Sequence, residues 1–294
     1  MDRQRSNLRS RREAIFSLAA ITAGTLIKPA SVLSFGAATD KLRFAVLGDW
    51  GDGSDDQATL GKQMLSAYQK SSFDFVLASG DNIYPNGAAR HFVKKFEEPF
   101  SGLLKNHVKF HTVFGNHDVQ EGRQDQRQYP LFNMEGRHYY TLRRGNGLVD
   151  IFMLDSTDYD SAQAGWFEND LRTSTARWKI VVMHHPLYSS GKKHGPNLKL
   201  RRKIEPLLTQ HKVNVVFAGH DHIYERVKPQ HGVHHFVTGA GGKLRRGGMD
   251  KESTITAAGY DKDNHFMLIE LDDRELNFTA ISETGGLIDS GAIK

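Results

Sequence analysis

The 294-residue chain has no cysteine, so it has no disulfide framework, no thiolate nucleophile and no sulfur ligand for a metal. Any bound cation must therefore be held by oxygen and nitrogen donors, which favours hard or borderline ions. Long apolar runs are also missing. The most apolar early stretch, Ala14 to Ile27, is shorter than the roughly 20 residues that span a bilayer, and nothing later exceeds it. A surplus of one charge sign is nearly absent as well. The formal charge is +5, but residues 1–28 carry six basic residues against two acidic ones, which leaves about +1 on the rest. Nor does the 10% share of aromatic residues call for stacked bases, so a nucleic-acid partner is not expected.

What is present begins with an address. Ser10-Arg11-Arg12 followed by Glu13-Ala14-Ile15-Phe16 resembles a twin-arginine export signal, a route for proteins already folded around their cofactors. Residues 1–38 read as that signal peptide, with cleavage between Ala30 and Thr39. The export machinery is thus an expected partner of the precursor, and the mature protein is expected in the periplasm or outside the cell.

From 41 to 294 apolar runs of strand character alternate with amphipathic stretches, which reads as one α/β catalytic domain. Helices are expected at Gln57–Lys70, Ala88–Phe96, Gln163–Leu171 and Leu198–Gln210. Strands are expected at Leu42–Leu47, Phe73–Ala78, Val108–Phe114, Val149–Leu154, Ile180–Met183, Val213–Ala218, Val233–Thr238, Phe266–Leu271 and Glu275–Ile281. Two sheets packed face to face, with helices outside, would use all of them. Trp166 reads as core, and residues 239–259, with glycines at 239, 241, 242, 247 and 248, read as a mobile loop.

Five of these strands run directly into short polar segments. They are Gly48-Asp49-Trp50-Gly51, Gly80-Asp81-Asn82-Ile83-Tyr84, Gly115-Asn116-His117-Asp118, His184 after Val181-Val182-Met183, and Gly219-His220-Asp221-His222. Ligands in α/β sheets gather at the carboxyl ends of strands, so segments distant in sequence can supply one site. Each motif alone is an ordinary turn or a lone polar residue. Their joint order, carboxylate, carboxylate with tyrosine, amide with histidine, histidine, then two histidines, is what points to metal chemistry.

That order resembles the calcineurin-like metallophosphoesterases, and among them the purple acid phosphatases of the small tartrate-resistant type, from Leu42 to the C-terminus. The position two after the first aspartate, often histidine in the wider superfamily, is Gly51 here, and Tyr84 takes its place as in the purple enzymes. Tyr224-Glu225-Arg226 looks more like the plant members. The resemblance implies a four-layer sandwich of two mixed sheets flanked by helices. It also implies two metal ions: one held by Asp49, Tyr84 and His222, one by Asn116, His184 and His220, with Asp81 bridging. The more anionic first set suits Fe(III) and the second a divalent Fe, Zn or Mn.

Two such ions bind phosphate oxygens and activate a water for direct attack on small phosphomonoesters, with no covalent nucleophile. The resemblance places His117 and His194 beside the phosphate as catalytic residues. The plainer readings are an orienting role for His117 and an exposed, idle His194. His185 reads as structural, and Lys243, Arg245 and Arg246 as a solvated charge cluster. Alternatives to a monoesterase are a phosphodiesterase on nucleotide or lipid head-group esters, a metal- or phosphate-binding protein without catalysis, and an iron redox protein.

Overall fold

A computed structural model describes residues 41–294, and the expected signal peptide at 1–38 lies outside the described residues. Two mixed sheets form the centre. The first contains β1 (Leu42–Leu47), β2 (Phe75–Ala78) and β3 (Lys109–Thr112), parallel to one another. It is completed by the antiparallel β11 (His265–Leu271), β12 (Leu276–Ser282) and β13 (Leu287–Ile293), in the order β13-β12-β11-β1-β2-β3. The second sheet is built from β4 (Tyr140–Arg144), β5 (Val149–Met153), β6 (Trp178–Val182), β7 (Val215–Ala218), β8 (Tyr224–Val227), β9 (His234–Thr238) and β10 (Thr256–Tyr260). Its order is β10-β8-β9-β7-β6-β5-β4, with β5, β6, β7 and β9 parallel.

Period-two alternation sorts the second sheet's side chains between two cores. Ile151, Met153, Ile180 and Val182 face the first sheet, whereas Phe152, Leu154, Val181 and Met183 face outward. The inner layer is closed by contacts that cross between sheets, such as the Phe236 and Phe278 rings at 5.0 Å and Tyr140 Oη donating to Thr112 O at 2.8 Å. The outward face is covered by α5 (Ser161–Thr173) and α6 (Leu198–Gln210) through Phe167, Leu171, Leu200, Ile204 and Leu208. On the first sheet α1 (Asp55–Lys70) buries Leu60, Met64 and Ala67. Ser54 caps α1 by accepting Gln57 N–H at 3.2 Å, and Asp55 and Asp56 in the first turn complement the helix dipole. The architecture is the expected sandwich of two mixed sheets flanked by helices.

Several expectations need correction. Residues 88–96 do not form an α-helix: a 3₁₀ turn at Ala89–His91 runs into a wide turn at Val93–Glu97 and then α2 (Ser101–Lys105). Pro99 ends any regular continuation, and Phe92, Phe96 and Phe100 are drawn into an aromatic cluster with Trp50, Phe110 and Phe132. Two short helices, α3 (Asp118–Glu121) and α4 (Arg123–Gln128), follow the third motif. Trp166 is only half-buried, against Tyr139, and Phe167 is the core residue of that turn.

The glycine-rich stretch is also more fixed than expected. Ala240 to Gly242 are buried, Gly241 N–H donates to Gly48 O at 2.8 Å and Lys243 N–H to Asp49 O at 2.9 Å, and residues 256–260 are β10. Glycines 239, 241, 242 and 248 admit close neighbours, whereas Gly247 serves a left-handed turn with φ of 72°. Of the strands absent from the sequence reading, β4, β8 and β10 are only four or five residues long, and β13 is a largely exposed edge strand without period-two alternation. In β10 and β13, glycines 259 and 291 sit where a Cβ would meet Met249 and the Phe278 ring. No helix among the described residues is long and apolar enough to cross a membrane.

Candidate metal centre

All nine residues singled out in the sequence come together where strands of both sheets end. Asp49 follows β1, Asp81 and Tyr84 follow β2, Asn116 and His117 follow β3, His184 follows β6, and His220 and His222 follow β7. His194 arrives from the loop before α6, its ring 4.2 Å from that of His220.

The first three predicted ligands converge on one point. Tyr84 Oη lies 3.1 Å from Asp49 Oδ1 and 3.3 Å from His222 Nε2, and the last two are 3.4 Å apart. Asp81 Oδ2 stands 2.9 Å from the same Tyr84 oxygen. The second three converge likewise: His184 Nε2 is 3.0 Å from Asn116 Oδ1, 3.2 Å from His220 Nδ1, and 3.5 Å from that same Asp81 Oδ2. Donors about 2.1 Å from a shared ion stand about 3.0 to 3.4 Å apart in octahedral or tetrahedral geometry, so both clusters fit a cation, with one oxygen common to the two.

Each carboxylate divides its oxygens in the same way. Asp49 Oδ2 accepts His220 N–H at 2.8 Å and Asp81 Oδ1 accepts His117 N–H at 2.8 Å, leaving Oδ1 and Oδ2 respectively for the centre. The first motif is thereby tied to the fifth and the second to the third. Gly115 and Gly219, which precede Asn116 and His220, leave room for these carboxylates: a Cβ on Gly115 would stand 2.1 Å from Asp81 Oδ1, and one on Gly219 2.3 Å from Asp49 Oδ2. Asp49, Asp81 and His220 adopt left-handed backbone conformations, with φ of 56°, 49° and 71°.

The electrostatics fit cations too. Burial raises Asp49 well above the usual carboxylate range and raises Asp81, with Asp81 adding to the shift of Asp49. Burial, then the two facing carboxylates, push the Tyr84 phenol well up. Burial lowers His184 and His220 strongly and His222 to about 4, so all three imidazoles are neutral with a lone pair to offer. His184 Nδ1–H donates to Ser79 O at 3.0 Å, which turns Nε2 toward the centre. A multivalent cation would draw the proton from acids that resist ionisation, and bases that resist protonation already hold a free lone pair for it.

His117 stands half-buried against the Tyr84 ring, centroids 4.6 Å apart, and its Nδ1–H donates to Pro85 O. Nε2 is thereby left for a ligand in the cleft, which His117 lines together with His194, Lys193 and Arg245. His185 lies beside the second cluster, its ring 4.6 Å from that of His220. The Ser156 hydroxyl donates to its Nδ1 at 2.9 Å and accepts the backbone N–H groups of His184 and His185 at 3.1 and 3.0 Å.

Two buried carboxylates that sequence reasoning passed over hold these loops in place. Asp118 accepts backbone N–H bonds from Asn82, Ile83 and Gly115 at 3.0, 3.1 and 2.8 Å, and burial with the nearby Asp81 pushes it up to about 7. Asp221 accepts from Ser189 Oγ at 2.6 Å, His194 N–H at 3.3 Å and Gly195 N–H at 3.1 Å, and so anchors the loop that carries His194. The signal for both was an aspartate inside a ligand motif, which a search for ligands alone leaves unassigned.

A family model described as calcineurin-like phosphoesterase matches residues 42–224. The chain is 31% identical over 236 residues to purple acid phosphatase 17 of Arabidopsis thaliana, a match covering 69% of each. It is 30% identical over 242 residues to tartrate-resistant acid phosphatase type 5 of Sus scrofa, covering 70% of this chain and 71% of that one. The purple acid phosphatase PPD1 from yellow lupin seeds superimposes with a TM-score of 0.71 over 87% of this chain and 54% of its own; at 18% identity that likeness is one of fold.

Proposed function

Because the chain belongs to the calcineurin-like phosphoesterases, among their purple and tartrate-resistant acid phosphatases, and is a metal-dependent phosphoester hydrolase, we propose that it is an exported acid phosphatase acting on small phosphomonoesters. The observation that carries this reading is the Asp81 Oδ2 atom shared by two donor clusters, the arrangement a dinuclear centre needs. Asp49, Tyr84 and His222 would hold the first ion, proposed as Fe(III) for its phenolate and carboxylate donors. Asn116, His184 and His220 would hold a divalent Fe, Zn or Mn, with Asp81 between them. When bound, such a pair neutralises phosphate oxygens and acidifies the attacking water. The chain's own part is positional: Ser79 fixes the His184 ring, His117 presents Nε2 to the phosphoryl or leaving oxygen, and Asp221 holds the His194 loop at the rim.

Metal analysis and a visible spectrum of the purified protein test the ligand set together. Two ions per chain and a purple or pink band are expected, the band bleaching in Tyr84→Phe, with p-nitrophenyl phosphate cleaved in preference to its bis ester. A colourless, fully loaded and active wild type would exclude a Tyr84–Fe(III) pair. Preference for the bis ester would make the protein a diesterase.

The arginine pair carries the export proposal. Arg11→Lys with Arg12→Lys is expected to leave most phosphatase activity in the cytoplasm on cell fractionation, because twin-arginine export reads the pair as an address. Periplasmic activity equal to wild type would sink that assignment.

A further inference from the structure

The cleft beside the metal centre has a volume of about 220 Å³, and its wall includes two basic side chains that the proposed chemistry does not use, Arg245 and Lys193. In sequence Arg245 belongs to a basic cluster with Lys243 and Arg246, and the structure separates the three. Lys243 Nζ stands 3.5 Å from Asp52 Oδ2, and Arg246 Nε donates to Lys262 O at 3.0 Å. Arg245 is held differently. Its N–H donates to His222 O at 3.0 Å and its carbonyl accepts Gly248 N–H at 3.0 Å, which fixes the residue at the edge of the centre. Its side chain is half-buried, and its Nε is fully buried with no hydrogen-bond partner. Among the described residues no carboxylate lies within salt-bridge distance of Arg245 or of Lys193.

Arg245 lines the cleft with no carboxylate among the described residues to pair it, and the planar fork of a guanidinium suits the paired oxygens of a carboxylate or phosphate. The transferred phosphoryl group is already answered by the centre and by His117 and His194. Two further unpaired cations on the same wall exceed what one phosphomonoester carries. They match a second negative charge close to the ester oxygen, because both line the same cleft as His117 and His194.

We propose that Arg245, assisted by Lys193, is a specificity-determining residue that binds a second anionic group on the leaving side of the substrate. The site would thus favour acidic phosphomonoesters over neutral ones of similar shape. This rests on the phosphomonoesterase reading. Hydrolysis itself is unchanged: water forms the new P–O bond, the ester P–O bond breaks, and the leaving oxygen takes a proton.

The test compares 2-phosphoglycerate with glycerol 2-phosphate, which differ by a carboxylate in place of a hydroxymethyl group. Wild type is expected to favour the former in kcat/KM. Arg245→Gln should lose about 10- to 100-fold more on 2-phosphoglycerate than on glycerol 2-phosphate, mostly through KM, the range of one charge-assisted hydrogen bond. Arg245→Lys should recover part of the difference, and Lys193→Gln should show a smaller loss of the same selectivity. Equal losses on both esters, or no loss on either, would overturn the proposal. Calorimetric binding of 2-phosphoglycerate to the metal-loaded protein reads the same contact without turnover. A protein that cleaves neither ester yet binds 2-phosphoglycerate at least tenfold more tightly than Arg245→Gln does would keep the subsite and refute the monoesterase, whereas equal binding would refute the subsite.

Discussion

Asp81→Ala is expected to purify with fewer than two metal ions per chain and to lose phosphatase activity by more than about a thousandfold, well beyond the 10- to 100-fold typical of residues that only support a ligand. The reason is the single oxygen that stands against Tyr84 on one side and His184 on the other. Without it two cations have nothing between them to offset their repulsion or set their spacing. Because Asp81 has a φ of 49°, alanine also strains the backbone, whereas asparagine tolerates that conformation and keeps the shape. Asp81→Asn therefore separates charge from strain, and it too should fall below two ions per chain. Asp49→Ala should deplete mainly the first site. Elemental analysis beside turnover decides: two ions per chain in Asp81→Ala would remove Asp81 from the bridging position.

His117→Ala should do the opposite, keeping both ions and the colour while slowing turnover by about 100- to 10,000-fold. Its ring touches Tyr84 from outside the donor clusters, and its link to Asp81 runs through the backbone N–H, which alanine retains. If Nε2 protonates the leaving oxygen, the loss should shrink for p-nitrophenyl phosphate, whose leaving group needs no proton, and grow for alkyl phosphates. Equal losses would assign His117 to phosphate positioning. Full activity on alkyl phosphates with metals in place would refute both roles.

Most donor segments were legible because the strand before them ends in an unbroken apolar run, as at residues 44–47, 75–78, 180–182 and 215–218, whereas β3, Lys-Phe-His-Thr, carries no such mark and is found through the motif after it. The turn after Leu47 or Ala78 is then an obvious place to look. Strands of other kinds left no such mark. β13, with the sequence Leu-Ile-Asp-Ser-Gly-Ala-Ile, is a largely exposed edge strand, and β8 reads as the tail of the Gly219-His220-Asp221-His222 motif. Arg245 could be seen as a charge, but its direction is set by a bond to His222 O from a distant segment. Periodicity carries no information about such a bond. The clamps Asp118 and Asp221 escaped for a related reason: an aspartate that accepts backbone N–H groups is chemically indistinguishable, in sequence, from one that faces a cation.

The left-handed backbone at Asp49, Asp81 and His220 gives the centre a standing opposition to the fold that carries it. Each such residue costs about 1 to 2 kcal/mol relative to an ordinary conformation, and two of the three also bury a carboxylate that burial disfavours. Glycine at any of these positions would relax the chain while erasing the chemistry. Yet glycine at 49 or 81 would also strand the His220 or His117 N–H that the carboxylate accepts, so the same side chains that oppose the fold at the backbone hold its loops together at their far oxygens.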